Sequence, residues 1–88
     1  MNLKTLILAF LAPRWPGAYT EFVIASRINA SRMIDKRLTP EEVADELRAL
    51  HKVGLVDLQI DMLDNSAVWQ VTPEGTKKWV LEGRMTVV

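Results

Sequence analysis

The sequence predicts a mostly helical α+β domain: a three-helix core, a two-stranded hairpin and a closing C-terminal helix, all in one unit spanning residues 1–88. Three observations carry this. Thr39-Pro40-Glu41-Glu42 is a capping box with Pro at the first helical position, and Val43, Leu47 and Leu50 follow at i, i+4 and i+7. After Gly54 the apolar period changes from 3.6 to 2, with Val56, Leu58, Ile60 and Met62 alternating with Asp57, Gln59 and Asp61. Thr72-Pro73-Glu74 then repeats the cap-and-Pro start, which opens a further helix.

The first helix is expected from Leu3 to Leu11 or Ala12, with Leu3, Ile7, Phe10 and Leu11 on one face and Pro13 as the stop. Trp15-Pro16-Gly17 is a turn, and Ala18-Tyr19 a very short strand. Thr20 caps a second helix that starts near Glu21 and carries Phe22, Ala25 and Ile28 inward. Asn29 to Leu38 mixes apolar residues with Arg32, Lys36 and Arg37, and reads equally as an extension of that helix, a separate turn of helix or a loop. Gly54 ends the third helix, because it tolerates the left-handed conformation that helix ends need. Asp64-Asn65-Ser66 is turn chemistry, and Ala67, Trp69 and Val71 form the returning strand, with Leu58, Ile60 and Met62 on the buried side of the hairpin. The fourth helix has Trp79, Val80 and Leu81 on its apolar side and ends at Gly83. The tail from Met85 to Val88 closes the core, pairs as a strand or meets a second copy of the chain, which leaves a homodimer open.

Composition removes several function classes. There is no Cys and a single His, His51, so disulfides, thiolate or His-cluster zinc sites and a Cys nucleophile are excluded, and no cofactor is expected. The apolar run Leu6–Ala12 is far too short to span a bilayer, and Pro13-Arg14-Trp15-Pro16 is a poor cleavage region, so neither a membrane partner nor a signal peptide is expected. The absence of Cys is compatible with the cytoplasm, the expected location. Ser26, Ser31 and Ser66 lack a convincing base, and no Gly-rich phosphate loop is present, so the chain is not expected to be an enzyme. Asp57, Asp61 and Asp64 on and beside one wet strand face are solubilising residues rather than a metal site.

The order of elements, together with three stretches of sequence, resembles a known architecture. Leu47-Arg48-Ala49-Leu50-His51-Lys52-Val53-Gly54-Leu55-Val56 resembles the end of the recognition helix and the start of the wing in bacterial regulators of the MarR, PadR and ArsR types. Val71-Thr72-Pro73-Glu74-Gly75 is similar to the junction that follows their wing, and Ile24-Ala25-Ser26-Arg27-Ile28 to their second helix. The likeness runs from Thr20 to Trp79 and implies a winged-helix fold and binding to double-stranded DNA, of the kind found in small regulators or accessory proteins of bacteria and their phages. One departure stands out: the connection from the second to the third helix is longer, by about eight residues, than the tight turn of those regulators.

Charge bears directly on that implied function. Residues 1–40 carry a net +4, residues 41–64 a net −5 and residues 65–88 a net +1, so the formal charge of the whole chain is zero. DNA binding is expected to rest on Arg27, Arg32, Lys36 and Arg37 around the long connection, with Lys77 and Lys78 near them and Arg48 and Lys52 at the end of the third helix. The leading end of that helix is instead acidic, with Glu41, Glu42, Asp45 and Glu46, and the hairpin carries only Asp57, Asp61 and Asp64. Carboxylates at a helix N-terminus complement the macrodipole whatever the helix does. They also define a second reading, a protein-interaction module whose acidic face (Glu41, Glu42, Asp45, Glu46, Asp57 and Asp61) meets a basic partner. Trp15, in its Pro-flanked turn, is then a candidate anchor.

Overall fold

A computed structural model describes residues 3–31 and 37–86, with residues 82–86 described by backbone alone. Helix α1 spans Leu3–Leu11 and passes into a 3-10 turn at Ala12–Arg14. Helix α2 spans Glu21–Ala30, α3 Pro40–Lys52 and α4 Pro73–Thr86; strands β1 (Val56–Ile60) and β2 (Ala67–Val71) lie between α3 and α4.

Helix α1 is the centre of the core. Leu6, Ile7, Leu8, Phe10 and Leu11 are all buried, which is more than the single stripe expected. A helix apolar on most sides must be covered on most sides, and α2, α3, α4 and β2 all pack on it. Ile24 and Ile28 of α2, Val43, Leu47 and Leu50 of α3, and Val56, Trp69 and Val71 of the hairpin complete the core.

The ends of α3 are set by local chemistry. Thr39 Oγ1 accepts from the Glu42 N–H at 3.2 Å, and Glu42 Oε1 accepts from the Thr39 N–H at 3.2 Å. At the other end Gly54 has φ 81, with its N–H bonded to the His51 carbonyl and the Leu55 N–H bonded to the Leu50 carbonyl, both at 3.0 Å. These two bonds are the Schellman arrangement, which turns the chain out of the helix and into β1.

The hairpin is antiparallel, with Val56 opposite Val71, Leu58 opposite Trp69 and Ile60 opposite Ala67. The expected short strand at Ala18-Tyr19 is a single bridge, in which Tyr19 exchanges backbone hydrogen bonds with Trp69 at 3.0 and 2.8 Å. Thr72 locks the far end of β2 to α3: its hydroxyl donates to the Gly54 carbonyl at 2.7 Å and accepts from the Gly75 N–H at 3.0 Å. Gly75 is required by this close approach, since a Cβ there would lie 2.1 Å from the Leu55 carbonyl oxygen.

Several expectations are corrected. Phe22 is 67% exposed rather than inward; it stands about 160° from Ile24 around the helix, on the side away from the core. Alternation in β1 is real, but burial ends at the base of the hairpin: Val56 is buried, while Leu58, Ile60 and Met62 are exposed. The hairpin extends past the helices that cover it. Gly83 does not stop α4, which continues to Thr86. In the long connection, α2 ends at Ala30, and residues 37 and 38 are neither helix nor strand. Of the C-terminal tail, Val87 and Val88 lie outside the described residues.

That connection is nonetheless tied down. The Asn29 side chain donates to the Leu38 carbonyl at 3.0 Å and accepts from the Leu38 N–H at 2.8 Å. One amide thereby pairs with both backbone groups of a residue nine positions on. With Leu38 buried, this returns the chain to α2 just before α3 begins.

Candidate nucleic-acid interface

Helix α3 buries Val43, Leu47 and Leu50 and leaves its opposite side open. On that side Glu41, Asp45, Arg48 and Lys52 are exposed. Spacings of four, three and four residues place them in one ridge along the helix. The ridge is balanced in charge. Arg48 is ion-paired with Asp45, with the two side chains 64% and 75% exposed. Glu41 stands at the leading end and Lys52 at the trailing end. An exposed pair of this kind adds little stability; it sets the Arg48 guanidinium beside the Asp45 carboxylate, one turn back along the helix. Glu42 is engaged in the capping box, and Glu46 is half-buried on the flank.

An open groove of about 340 Å³ runs between the leading ends of α2 and α3 and the hairpin, lined by Thr20, Phe22, Pro40, Ala44 and Ser66. Thr20 caps α2 by accepting from the Val23 N–H at 3.2 Å. Glu21 is turned to structural use, because its carboxylate accepts from Trp69 Nε1 at 3.1 Å. The Trp69 ring, 3% exposed, also meets His51 edge to face, with centroids 6.0 Å apart. Trp69 thus joins β2 to the start of α2 and the end of α3.

The basic residues are divided by α2. Arg37 is exposed beside Phe22, Ser26 and Pro40, two positions before the α3 cap. Arg27 opens on the other flank, where it and Arg14 border a cleft of about 390 Å³ between α1 and α2 with Phe10 and Ile28 in its wall. Arg14 is already engaged, donating to the Phe10 carbonyl at 2.7 Å with its guanidinium 4.1 Å above the Phe10 ring. Arg32 and Lys36 lie outside the described residues. Lys77 and Lys78 are exposed on α4, which packs on α1, β2 and the 3-10 turn.

The described acidic residues of the second reading stand on different elements. Glu41 and Asp45 stand on α3. Asp57 is exposed on β1, opposite Gln70, whose amide donates to the Pro16 carbonyl at 2.9 Å. The turn bearing Trp15, 59% exposed, therefore adjoins the Asp57 face of the hairpin. Asp61 and Asp64 are turned into the hairpin loop, where Asp61 accepts from the Leu63 N–H at 2.9 Å and Asp64 from the Ser66 N–H at 3.0 Å. The Ser66 hydroxyl and N–H hold the Asp64 carboxyl below the usual carboxylate range. Beyond them Met62 and Leu63 are almost wholly exposed, at 94% and 97%.

Sequence reasoning missed three of these features. Asn29 carried no local signal, since its partner lies across the connection. The Glu21–Trp69 bond spans 48 positions. The outward position of Phe22 was readable from its angle to Ile24 and was overridden by its apolar character.

Three helices, a strand bridge to the hairpin and a hairpin after the third helix define a winged helix. A transcriptional regulator from Clostridium thermocellum is similar in structure, with a TM-score of 0.78 over 93% of this chain and 77% of its own, at 18% identity. The PcaV transcriptional regulator of Streptomyces coelicolor matches with a TM-score of 0.73 over 98% of this chain and 57% of its own, at 19% identity. ZitR of Lactococcus lactis matches at 0.70, over 96% of this chain and 51% of its own, at 17% identity. The chain thus spans little more than half the length of the latter two. No protein-family model and no curated protein sequence matches it. The fold is the winged helix that these solved transcriptional regulators share, as the sequence resemblance implied.

Proposed function

We propose that the protein is a DNA-binding transcriptional regulator that presents α3 to the major groove of duplex DNA. The observation that carries this is the open face of α3, capped at its start, braced by Trp69 and Asn29, and set in the same architecture as solved regulators. In a winged helix this helix lies in the major groove and meets base edges while flanking residues hold phosphates. Arg37, just ahead of α3, and Lys52, at its end, are the phosphate contacts in this reading, with Arg32 and Lys36 as further basic residues between α2 and α3 and Arg27 on the α1 side of α2, away from them. Arg48 lies between them on the reading face. The chain performs no catalysis of its own in this reading, works where the DNA is, in the cytoplasm, and two copies occupy a two-fold site.

Fluorescence anisotropy of the purified chain on mixed duplex fragments tests it, at low and then moderate salt. Binding that weakens as salt rises is expected, because phosphate contacts release counterions. No binding even at low salt overturns the reading. Sedimentation with and without duplex checks for the pair of copies.

A further inference from the structure

The ridge on α3 has the wrong charge for a phosphate anchor and the right chemistry for a base reader. It contains two carboxylates, one guanidinium and one ammonium, and Asp45 already neutralises Arg48. A helix that gripped DNA by charge would not spend its only guanidinium on its own carboxylate. A helix that reads base edges gains from that pairing. The guanidinium is a planar fork whose value lies in its orientation, and a carboxylate one turn earlier on the helix fixes that orientation before DNA arrives.

Resting on the DNA-binding reading above, we infer that the ridge recognises a G·C-containing core. Arg48, positioned by Asp45, pairs with O6 and N7 of a guanine, and Glu41 accepts from N4 of a cytosine. These are the major-groove partners of each side chain: guanine offers two acceptors to a guanidinium, and cytosine offers the amino donor that a carboxylate needs. Glu41 and Arg48 are seven residues apart, about 10 Å along the helix, so they address positions about three base pairs apart at the roughly 3.4 Å rise per pair along a strand. Ala44 and Ala49 flank the ridge, and their small side chains let the helix sit close to the groove floor. Phosphate attraction is left to Arg37 and Lys52. Glu41 and Asp45 thus discriminate among sequences at the cost of general affinity.

The experiment is selection from randomised duplexes by the full chain at low salt, followed by anisotropy on the selected site and on a scrambled duplex of the same composition. Selected sites are expected to share guanine and cytosine within a core of three or four base pairs. Arg48→Lys keeps the positive charge and loses the fork, so the ratio of selected-site to scrambled affinity falls roughly tenfold or more. Asp45→Asn separates a positioning residue from a merely repulsive one. If Asp45 orients Arg48, removing its charge strengthens binding to scrambled DNA while lowering the ratio. If it only repels DNA, both affinities rise together and the ratio holds, which overturns the inference. A selected core of A·T pairs, or retained duplexes with no shared sequence, also overturns it while leaving DNA binding intact. Failure to retain any duplex removes the DNA-binding reading and this inference with it.

Discussion

Asn29 sets where the chain returns to α2 before α3 begins. Its amide replaces a missing tight turn by bonding both backbone groups of Leu38. Asn29→Ala removes two partly buried hydrogen bonds and leaves the Leu38 N–H and carbonyl without them, at a cost of about 2 kcal/mol in unfolding free energy, measurable by urea denaturation. Duplex affinity is expected to fall with it, since α3 loses its tether to α2. Asp64 offers a test of a different kind. Its carboxyl is held below the usual range by Ser66, so the ionised form is favoured in the folded chain. A group depressed in this way contributes stability above its unfolded pKa and loses it as pH falls through its folded value. Ser66→Ala removes the hydroxyl bond, and NMR titration is expected to show the Asp64 carboxyl moving back up toward the ordinary range. At this scale the sequence was readable wherever the partner was local. Thr20, Thr39 and Gly54 act within a few positions of themselves, in the roles their types imply. Asn29, Glu21 and Trp69 act across the fold, and no nearby pattern announces them.

Among the elements, α1, α3 and the starts of α2 and α4 were placed almost to the residue, while the ends of α2 and α4 were not, and the hairpin shows where periodicity stops being informative. Period two states which residues share a face; it does not state how far the covering layer reaches. Val56, Val71 and Trp69 lie over the helices, whereas Leu58 and Ile60 lie beyond them on the same face. The two ends of the hairpin should therefore respond differently to substitution. Val71→Ala removes fully buried methyl groups and is expected to cost about 2 kcal/mol by denaturation. Met62→Ser and Leu63→Ser, at the loop, are expected to stay within about 0.5 kcal/mol of the parent. A large loss from the loop pair would mean that those side chains are covered in solution. The same limit explains Phe22: composition called it core, and its angle on α2 placed it at the groove.

Over the whole molecule, a formal charge of zero hides a strong separation along the chain, and the fold decides what that separation means. Much of the acidic segment is engaged locally. Glu42 is spent on a cap, Asp61 and Asp64 on the hairpin loop, and Asp45 on Arg48. The basic segment is divided, with Arg37 toward α3 and Arg27 toward α1. Neither arrangement was visible in the sequence, where neighbours along the chain look like neighbours in space. In the DNA-binding reading proposed above, with no long-range field to assist it, binding rests on a few local contacts. The slope of log affinity against log salt is then shallow, roughly −2 to −3 per copy, corresponding to two or three neutralised phosphates. Arg37→Ala is expected to reduce that slope by about 1. Arg27→Ala, on the far flank of α2, and Lys77→Ala, on α4, are expected to leave it nearly unchanged. A slope that responds to Arg27 or Lys77 and not to Arg37 would mean that the duplex lies along α1 or α4, and that α3 faces something else.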